Sequence, residues 1–399
     1  MTTVEKIARI ARIGTAFTPS APIDQRTLFA GRFNQLRDAV TAVSQKGQHA
    51  VIYGERGVGK TSLANVVYET FGDQVNKPAC GPINCDESMS FSSLWHAAFR
   101  EMHLDDRRTM DDLAPEDIRP DDVRHLVQNI KKTVIVFDEV DRLRDRSATT
   151  KLADCIKNLS DHGVDTTIVL VGVADSVDAL IAEHMSIERN LKQIPMPRMS
   201  DRELMEIVSN GSTICGMAIG NDAANQILAL SQGLPHYTHL LALNAFQDAV
   251  ERGASEVEVR DVDTAIRRAL ETAQHSVVSG YHKAVTSPRK DNLYAPVLLA
   301  CAMAEADSLG FFYAGSVREP MSNIMGRPYG ITAFSQHMKA FCESDRGPVL
   351  SRSGIKRRYR FRFLNPLMQP YVIMNGLTTG LIARDQIPRR GKEPDPRPT

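Results

Sequence analysis

Apolar and polar positions in the first half of the chain alternate between short β-prone runs and amphipathic stretches. Apolar runs occupy residues 50–53 and 134–137, and a third, TTIVLVGV, begins at Thr166. The stretch SLANVVYETF after the first run and residues 149–159 before the third have the spacing of helices. Strands that alternate with helices over such distances are typical of a parallel sheet, so the pattern predicts an α/β fold.

The middle of the chain has a helical pattern instead. Between residues 200 and 275, apolar residues recur at three- and four-residue steps in ELMEIVSN, AANQILALS, HLLALNAFQDAVE and VRDVDTAIRRALETA. This spacing predicts a small helical domain. Residues 280–291 are polar and include a proline, so we expect a linker there.

The last third predicts three helices followed by a β-hairpin. NLYAPVLLACAMAEADSLGFF predicts an apolar helix that ends at Gly310, and VREPMSNIMG and residues 332–343 predict two more. A strand pair follows in PVLSRSGIKRRYRFRF, with Ser353 and Gly354 at the turn. This order is typical of a winged helix, a variant of the helix-turn-helix. Residues 379–399 are rich in proline and charge, which predicts a disordered tail.

The second strand of that hairpin, IKRRYRFRF at residues 355–363, alternates with period two. Its aromatic face, Tyr359, Phe361 and Phe363, is expected to pack on the core, while the other face carries cations. The preceding helix would enter the major groove and expose Ser335 and Gln336. The candidate DNA-binding residues are Arg352, Lys356, Arg357, Arg358, Arg360, Arg362 and Lys339.

Two interpretations of this basic hairpin stay open. If four to six of its cations bind phosphates, the log–log salt slope of DNA binding should be about −4 to −5. In the alternative, the arginines remain hydrated or bind an acidic protein partner.

Composition and charge narrow the class of protein. The chain has 399 residues, 42% of them hydrophobic, which suggests two or three domains. It has no apolar run long enough for a membrane span, and its N-terminus lacks a signal-peptide core, so we expect a cytoplasmic protein. Six scattered cysteines without CxxC spacing predict reduced thiols rather than a metal site. Residues 281–399 contain 18 Lys/Arg and 9 Asp/Glu, a net charge of +9 in a chain whose total is zero.

The strongest motif is a glycine-rich loop between a predicted strand and a predicted helix. The sequence GERGVGKTS fits the pattern G-x-x-x-x-G-K-[ST], in which backbone N–H groups surround the phosphates of a nucleotide. Lys60 would reach the β- and γ-phosphates, and the Thr61 hydroxyl would bind Mg²⁺. The candidate nucleotide-binding residues of this loop are Gly54, Glu55, Arg56, Gly57, Val58, Gly59, Lys60, Thr61 and Ser62.

The strand at residues 134–137 ends in two acidic residues, Asp138 and Glu139. Asp138 is expected to hold magnesium through water, and Glu139 to orient the attacking water, because positioning dominates phosphoryl transfer. The sequence therefore predicts an ATPase that uses ATP and Mg²⁺.

These motifs, in this order, resemble those of the AAA+ ATPases. More narrowly, the chain is similar over about residues 15–375 to the origin-recognition-complex initiators and their bacterial STAND-like relatives. FAGRFNQLRDAV, with Gly31 and Arg32, resembles a segment that these proteins place near the adenine. SQGLPHYTHLLAL, with Pro235, resembles the turn that opens a helix of the lid domain.

The resemblance implies a domain order and further site residues. It places an N-terminal extension at residues 1–25, the nucleotide-binding domain at 26–198, the lid at 199–279 and a winged helix at 280–378. Arg189 would be an arginine finger that reaches a neighbouring subunit, which implies a homo-oligomer or a heteromeric partner. Two sensor positions depart from the family: Asp175 replaces a neutral polar residue, and His236 lies where a lid arginine is expected.

Together these features predict a slow, nucleotide-controlled ATPase switch that acts on DNA through the winged helix. In the alternative, the winged helix binds a protein partner or effector in defence, signalling or transposition. That alternative includes an ATP-dependent scaffold that does not hydrolyse ATP.

Overall fold

A computed structural model describes residues 2–23, 29–72, 80–104, 107–130, 132–174, 177, 180, 187–289, 292–355 and 358–389. Packing divides the chain into two compact units. The sheet unit comprises Pro22–Glu55 and Gly59–Pro197, and the helical unit comprises Met1–Ala21, Arg56–Val58 and Arg198–Thr399.

The strands are β1 (His49–Gly54), β2 (Cys80–Asn84), β3 (Thr133–Asp138), β4 (Thr166–Val173), β5 (Leu191–Pro195), β6 (Ala218–Ile219), β7 (Glu256–Val257), β8 (Phe312–Tyr313), β9 (Leu350–Ser353) and β10 (Arg360–Phe363). The helices are α1 (Thr3–Ala16), α2 (Phe33–Ser44), α3 (Lys60–Gly72), α4 (Phe91–Glu101), α5 (Pro120–Val127), α6 (Arg146–Asp161), α7 (Asp201–Cys215), α8 (Asn221–Ser231), α9 (Pro235–Glu251), α10 (Val259–Glu271), α11 (His275–Val285), α12 (Tyr294–Met303), α13 (Ala314–Met325), α14 (Ile331–Ala340) and α15 (Met368–Thr378). None of these described helices is long and apolar enough to cross a membrane.

The sheet unit contains a five-stranded parallel sheet in the order β2-β3-β4-β1-β5. All six residues of β3 are buried, as expected for an apolar strand in the centre of a parallel sheet that is covered on both faces. The predicted α/β fold is confirmed. Because the strands are parallel, the carboxyl ends of β1, β3 and β4 lie at the same edge of the sheet. The glycine-rich loop follows β1, and Asp138 ends β3.

The helical unit contains α1 and the elements from α7 onward. Helix α1 packs on α7 and α9, and α15 packs on α8, α10 and α12. Strands β8, β10 and β9 form a three-stranded antiparallel sheet in that order, with Arg360 opposite Tyr313 and Phe361 opposite Arg352.

The linker predicted at residues 280–291 is partly wrong, because helix α11 continues through it to Val285. Val277 and Ala284 bury one side of this helix. A Cβ built on Gly280 would lie 2.7 Å from the Cε atom of Met368, so the glycine permits close packing. A local polar composition cannot reveal that contact. The linker residues 290 and 291 lie outside the described residues.

The helix predicted to end at Gly310 ends instead at Met303. The Asp307 carboxylate accepts hydrogen bonds from the main-chain N–H groups of Leu309 and Phe311, both at 2.9 Å. An aspartate that bonds to the backbone a few residues ahead favours a turn over a helix, which explains the early end.

Two further segments differ from their predictions. Among the described residues of the predicted strand 355–363, Arg360–Phe363 form a strand, whereas Ile355 lies in the turn and residues 358–359 are not in a strand. The first part of the predicted tail, residues 379–389, packs on the helical unit through the buried side chains of Ile382 and Ile387. The proline- and charge-rich composition around these two apolar residues concealed their role in packing.

Candidate functional site

The backbone of the glycine-rich loop has conformations that favour glycine. Gly54, Gly57 and Gly59 have φ angles of 153°, 83° and 93°. A Cβ on Gly54 would lie 2.4 Å from the main-chain oxygen of Met196, so only glycine fits there. The Met196 N–H donates to the Tyr53 carbonyl at 2.7 Å, which ties the start of the loop to the residue that follows β5.

Lys60 begins α3, so its ammonium lies near the partial positive charge of a helix N-terminus. The side chain is buried, and its Nζ donates to the main-chain oxygen of Glu55 at 2.8 Å. The lysine therefore folds back over the glycine-rich loop.

Asp138, at the end of β3, contacts the first turn of α3. The Thr61 hydroxyl donates to Asp138 Oδ2 at 2.7 Å, and the Glu139 N–H donates to Oδ1 at 2.7 Å. Burial raises the pKa of Asp138, and these hydrogen bonds oppose the rise. Burial, together with the nearby Asp138 carboxylate, raises the pKa of the Cys85 thiol to about 12, so the thiol stays protonated. The structure thus brings together the two predicted magnesium-binding side chains, which are distant in sequence.

Glu139 has a left-handed backbone with a φ of 56°. Its carboxylate accepts a hydrogen bond from Arg142 NH1 at 2.7 Å, within a 3-10 turn at Val140–Arg142. Sequence reasoning missed Arg142. The signal was its position three residues after Glu139, the spacing at which short helical turns bring side chains together.

The tip of β4 contacts the same acidic turn. The Val173 N–H donates to Asp141 Oδ1 at 2.7 Å. Asp141 thereby fixes the end of the strand that was expected to carry a sensor residue. The sensor candidate Asp175 lies outside the described residues.

Arg189 lies in a 3-10 turn at Glu188–Asn190, with 79% of its side chain exposed. Its guanidinium pairs with Asp161 at 3.3 Å. Its role as an arginine finger stays a prediction.

Gly31 and Arg32 both have left-handed backbones, with φ angles of 65° and 60°, just before α2. Arg32 is only 2% exposed, and its guanidinium donates to the main-chain oxygen of Pro197. Arg32 is therefore held inside the sheet unit by a main-chain contact that its position before α2 did not predict.

The predicted lid residues belong to the helical unit. Pro235 is the first residue of α9, where a proline lacks only an N–H that would be unpaired in any case. Nδ1 of His236 bonds to the main-chain oxygen of Pro19 at 2.9 Å. Burial lowers the pKa of His236, more than the Pro19 bond raises it, so the ring is neutral.

The candidate DNA-binding residues lie on the β9–β10 hairpin and α14. Arg352, Arg358 and Lys339 are exposed, whereas Arg360 and Arg362 are half-buried over the ring of Phe311. Lys356 and Arg357 lie outside the described residues. Phe311 was also missed, because it precedes β10 by almost fifty residues and only the fold brings it near.

Comparison with known proteins is consistent with this architecture. Residues 43–181 match the AAA domain family. The fold is similar to that of Cdc6p from Pyrobaculum aerophilum, at 13% identity, with 92% of this chain and 99% of that chain covered and a TM-score of 0.50. It is also similar to a Walker-type ATPase of Pyrococcus abyssi, at 14% identity, with 88% and 98% covered and a TM-score of 0.53. No curated protein matches the sequence.

Residues 43–181 therefore match an AAA domain, and the chain has the fold seen in Cdc6p and in the Walker-type ATPase. This fold agrees with the resemblance to AAA+ ATPases that the sequence motifs indicated.

Proposed function

We propose that this protein is an ATP-controlled switch that binds and slowly hydrolyses ATP and acts on DNA through its C-terminal elements. The observation that carries the nucleotide part is the 2.7 Å bond between Thr61 and Asp138. This bond places the hydroxyl of the glycine-rich loop and the carboxylate of β3 together, as magnesium binding in a P-loop ATPase requires.

The residues present fit ATP with magnesium. N–H groups of the loop and α3 would bind the phosphates, and Lys60 would exchange its bond to Glu55 for a phosphate oxygen. Thr61 and Asp138 supply oxygen atoms of the kind that Mg²⁺ prefers. Magnesium, when bound, would neutralise charge on the β- and γ-phosphates. Glu139 would hold and orient the attacking water, and its hydrogen bond from Arg142 would compete with the water for the carboxylate.

ATP turnover tests this proposal. Lys60→Ala and Glu139→Gln should each lower turnover by about 100-fold or more, because each removes a group that acts on the reacting phosphate. Lys60→Ala should also weaken nucleotide binding, whereas Glu139→Gln should retain it. Lys46→Ala, which removes an exposed lysine far from the loop, is the matched control. Turnover that neither variant changes would refute the assigned site.

The DNA part rests on the order and pairing of the C-terminal elements. Helix α12 is followed by β8, α13, α14 and the β9–β10 hairpin, and β10 pairs with both β8 and β9. This order supports a winged helix, with α14 as the helix for the major groove and the hairpin as the wing. The uncapped N-terminus of α14 and the exposed cations of the hairpin would contact phosphates.

A protein partner is the second candidate for the same elements. Tyr313, Ile331 and Leu364 are 57%, 40% and 51% exposed, and exposed apolar side chains are common in protein interfaces. Tight binding to random duplex that disappears with increasing salt would favour DNA as the partner. Duplex binding that does not change with salt would favour a protein partner.

We assign Arg189 as the finger for a neighbouring subunit, on the strength of its exposure and the family resemblance. Light scattering with ATP tests this role. If the wild type and Arg189→Ala both remain monomeric with ATP, Arg189 does not act as a finger for a neighbouring subunit.

A further inference from the structure

The acidic turn after β3 is connected to the tip of β4 by the side chain of Asp141. The pairing of β3 with β4 ends at Phe137 and Leu170, but β4 continues for three more residues to Val173. The Val173 N–H donates to Asp141 Oδ1 at 2.7 Å, so a side-chain oxygen takes the place of a strand carbonyl. Asp141 therefore extends the contact between the two strands beyond the end of β3.

The tip of β4 also adjoins the glycine-rich loop. Gly54, the first glycine of that loop, pairs with Val173 across β1 and β4. Because β4 lies between β3 and β1 in the sheet, its tip separates this loop from the turn that carries Glu139. Any displacement at the tip would therefore change the distance between Glu139 and phosphates bound by the loop.

The surroundings of the tip are shaped for the Asp141 carboxylate. A Cβ built on Gly172 would lie 3.1 Å from Asp141 Oδ1 and 2.6 Å from Cδ2 of Leu180, so the glycine leaves room for the oxygen. The side chain of Val173 is 44% exposed, so its packing alone holds the tip only weakly. The hydrogen bond to Asp141 supplies a further restraint at this point.

The turn connects Asp141 closely to Glu139. The two residues are separated only by Val140, whose side chain is buried. The Arg142 N–H donates to the Glu139 carbonyl at 2.9 Å, which closes a 3-10 turn around Asp141. A bond that fixes Asp141 on β4 therefore also restricts the direction from which the Glu139 carboxylate approaches the site.

We propose that Asp141 is a positioning residue for ATP hydrolysis, which sets the place of Glu139 relative to the phosphates by holding its turn to the tip of β4. This inference rests on the proposed ATPase function and specifies how its water-orienting glutamate is placed. Position matters strongly here, because a displacement of about 1 Å can lower a rate by about 100-fold. The role requires an acceptor oxygen at residue 141 but no negative charge.

Two substitutions separate the hydrogen bond from the charge. Asp141→Ala should lower turnover at saturating Mg-ATP by about 10- to 100-fold, whereas ATP affinity should stay within about threefold, because the groups that bind the phosphates remain. Asp141→Asn retains an oxygen acceptor and should turn over ATP within about threefold of the wild type. Asp154→Ala, which removes an exposed carboxylate from α6 of the same unit, is the matched control and should leave turnover unchanged.

Hydrogen exchange of the Val173 amide tests the contact itself in protein without nucleotide. This amide should exchange about tenfold faster in Asp141→Ala than in the wild type, and Asp141→Asn should retain its protection. The amide of Val136, buried in the centre of β3, should keep its wild-type exchange rate in both variants. Faster exchange at Val173 alone identifies a local release of the tip instead of general unfolding.

The outcomes distinguish this inference from the proposed function. If Asp141→Ala hydrolyses ATP like the wild type, Asp141 does not position Glu139, while the proposed ATPase stands. Equal losses in Asp141→Ala and Asp141→Asn would also overturn the inference, because the charge and not the bond to Val173 would then matter. Unchanged exchange of the Val173 amide in Asp141→Ala would show that the bond does not hold the tip. A wild type that hydrolyses no ATP would refute the proposed ATPase, and the positioning role with it.

Discussion

At the residue scale, the Arg142 guanidinium holds the carboxylate that is expected to orient the attacking water. The two groups are 2.7 Å apart, and each side chain is about half exposed. Arg142→Ala should therefore raise ATP turnover by no more than about fivefold, because an exposed ion pair of this kind restrains the carboxylate only weakly. Steady-state phosphate release measures the effect.

A neighbouring pair provides the control for this prediction. Arg144 pairs with Glu87 at 3.2 Å and is also exposed, but it does not contact Glu139. Arg144→Ala should leave turnover unchanged. A fall in turnover on Arg142→Ala would show that the arginine assists the glutamate instead of restraining it.

The residues that the sequence predicted best are those whose chemistry depends on local spacing. Lys60 and Thr61 follow from the glycine-rich loop, and the structure pairs Thr61 with Asp138. Arg142 lies three residues after Glu139, so its spacing could have revealed it, whereas Phe311 meets Arg360 only because the fold brings them together. Met196 likewise contacts Gly54 only because β5 pairs with β1.

At the element scale, helix α1 is held to α7 by the residue that follows it. Phe17 is buried, and a Cβ built on Gly211 of α7 would lie 2.1 Å from its Cζ atom. Gly211→Ala should therefore destabilise the helical unit by about 1–3 kcal/mol, the usual cost of overpacking. Thermal unfolding followed by circular dichroism measures this loss.

Gly14 of α1 is the matched control for Gly211. A Cβ at Gly14 meets no other atom within 4 Å. Gly14→Ala should raise stability by about 0.5–1 kcal/mol, because alanine favours the helix. Equal effects of the two substitutions would contradict the proposed packing of Phe17.

Helix α4 is joined to the segment after it by His96. The ring bonds through Nδ1 to Asp111 at 2.6 Å and through Nε2 to the Glu116 carbonyl at 3.1 Å. Both partners are acceptors, so both ring nitrogens donate and the ring is protonated. Burial lowers the pKa of His96, but the bonds to Asp111 and Glu116 outweigh it and raise the pKa above 6.5.

The stability that His96 contributes should therefore depend on pH. Because the pKa is raised in the folded protein, the contribution is complete below pH 6.5 and is lost as the pH rises through the folded pKa. His96→Gln should lower the free energy of unfolding by up to about 1 kcal/mol at low pH and have less effect at alkaline pH. A difference that is constant from pH 5.5 to pH 9 would refute a protonated His96.

Elements were predicted well where one pattern was strong enough to determine the structure. The apolar runs predicted for β1 and β3 are extended by one residue at each end, and β4 coincides with its predicted run. The end of α12 and the course of α11 were predicted wrongly, because Asp307 and Gly280 act through contacts that composition does not reveal. Residues 379–389 were expected to be disordered for the same reason.

At the scale of the whole molecule, the candidate nucleotide-binding residues and the basic region lie in different parts of the chain. The candidate nucleotide-binding residues lie mainly in the sheet unit, whereas the region with a net charge of +9 belongs to the helical unit. Helix α1 packs in the helical unit although it precedes the sheet unit in sequence. The sequence pattern could not predict that assignment, since it depends on contacts between residues about two hundred positions apart.

The affinity for random duplex, measured with Mg-ATP and then with Mg-ADP, tests the central claim most directly. Glu139→Gln should be used, so that ATP remains intact during the measurement. A nucleotide-controlled switch predicts that the two affinities differ by about 5- to 150-fold, the usual range of coupling between two ligands. Duplex binding that is identical with ATP, with ADP and without nucleotide would contradict the account.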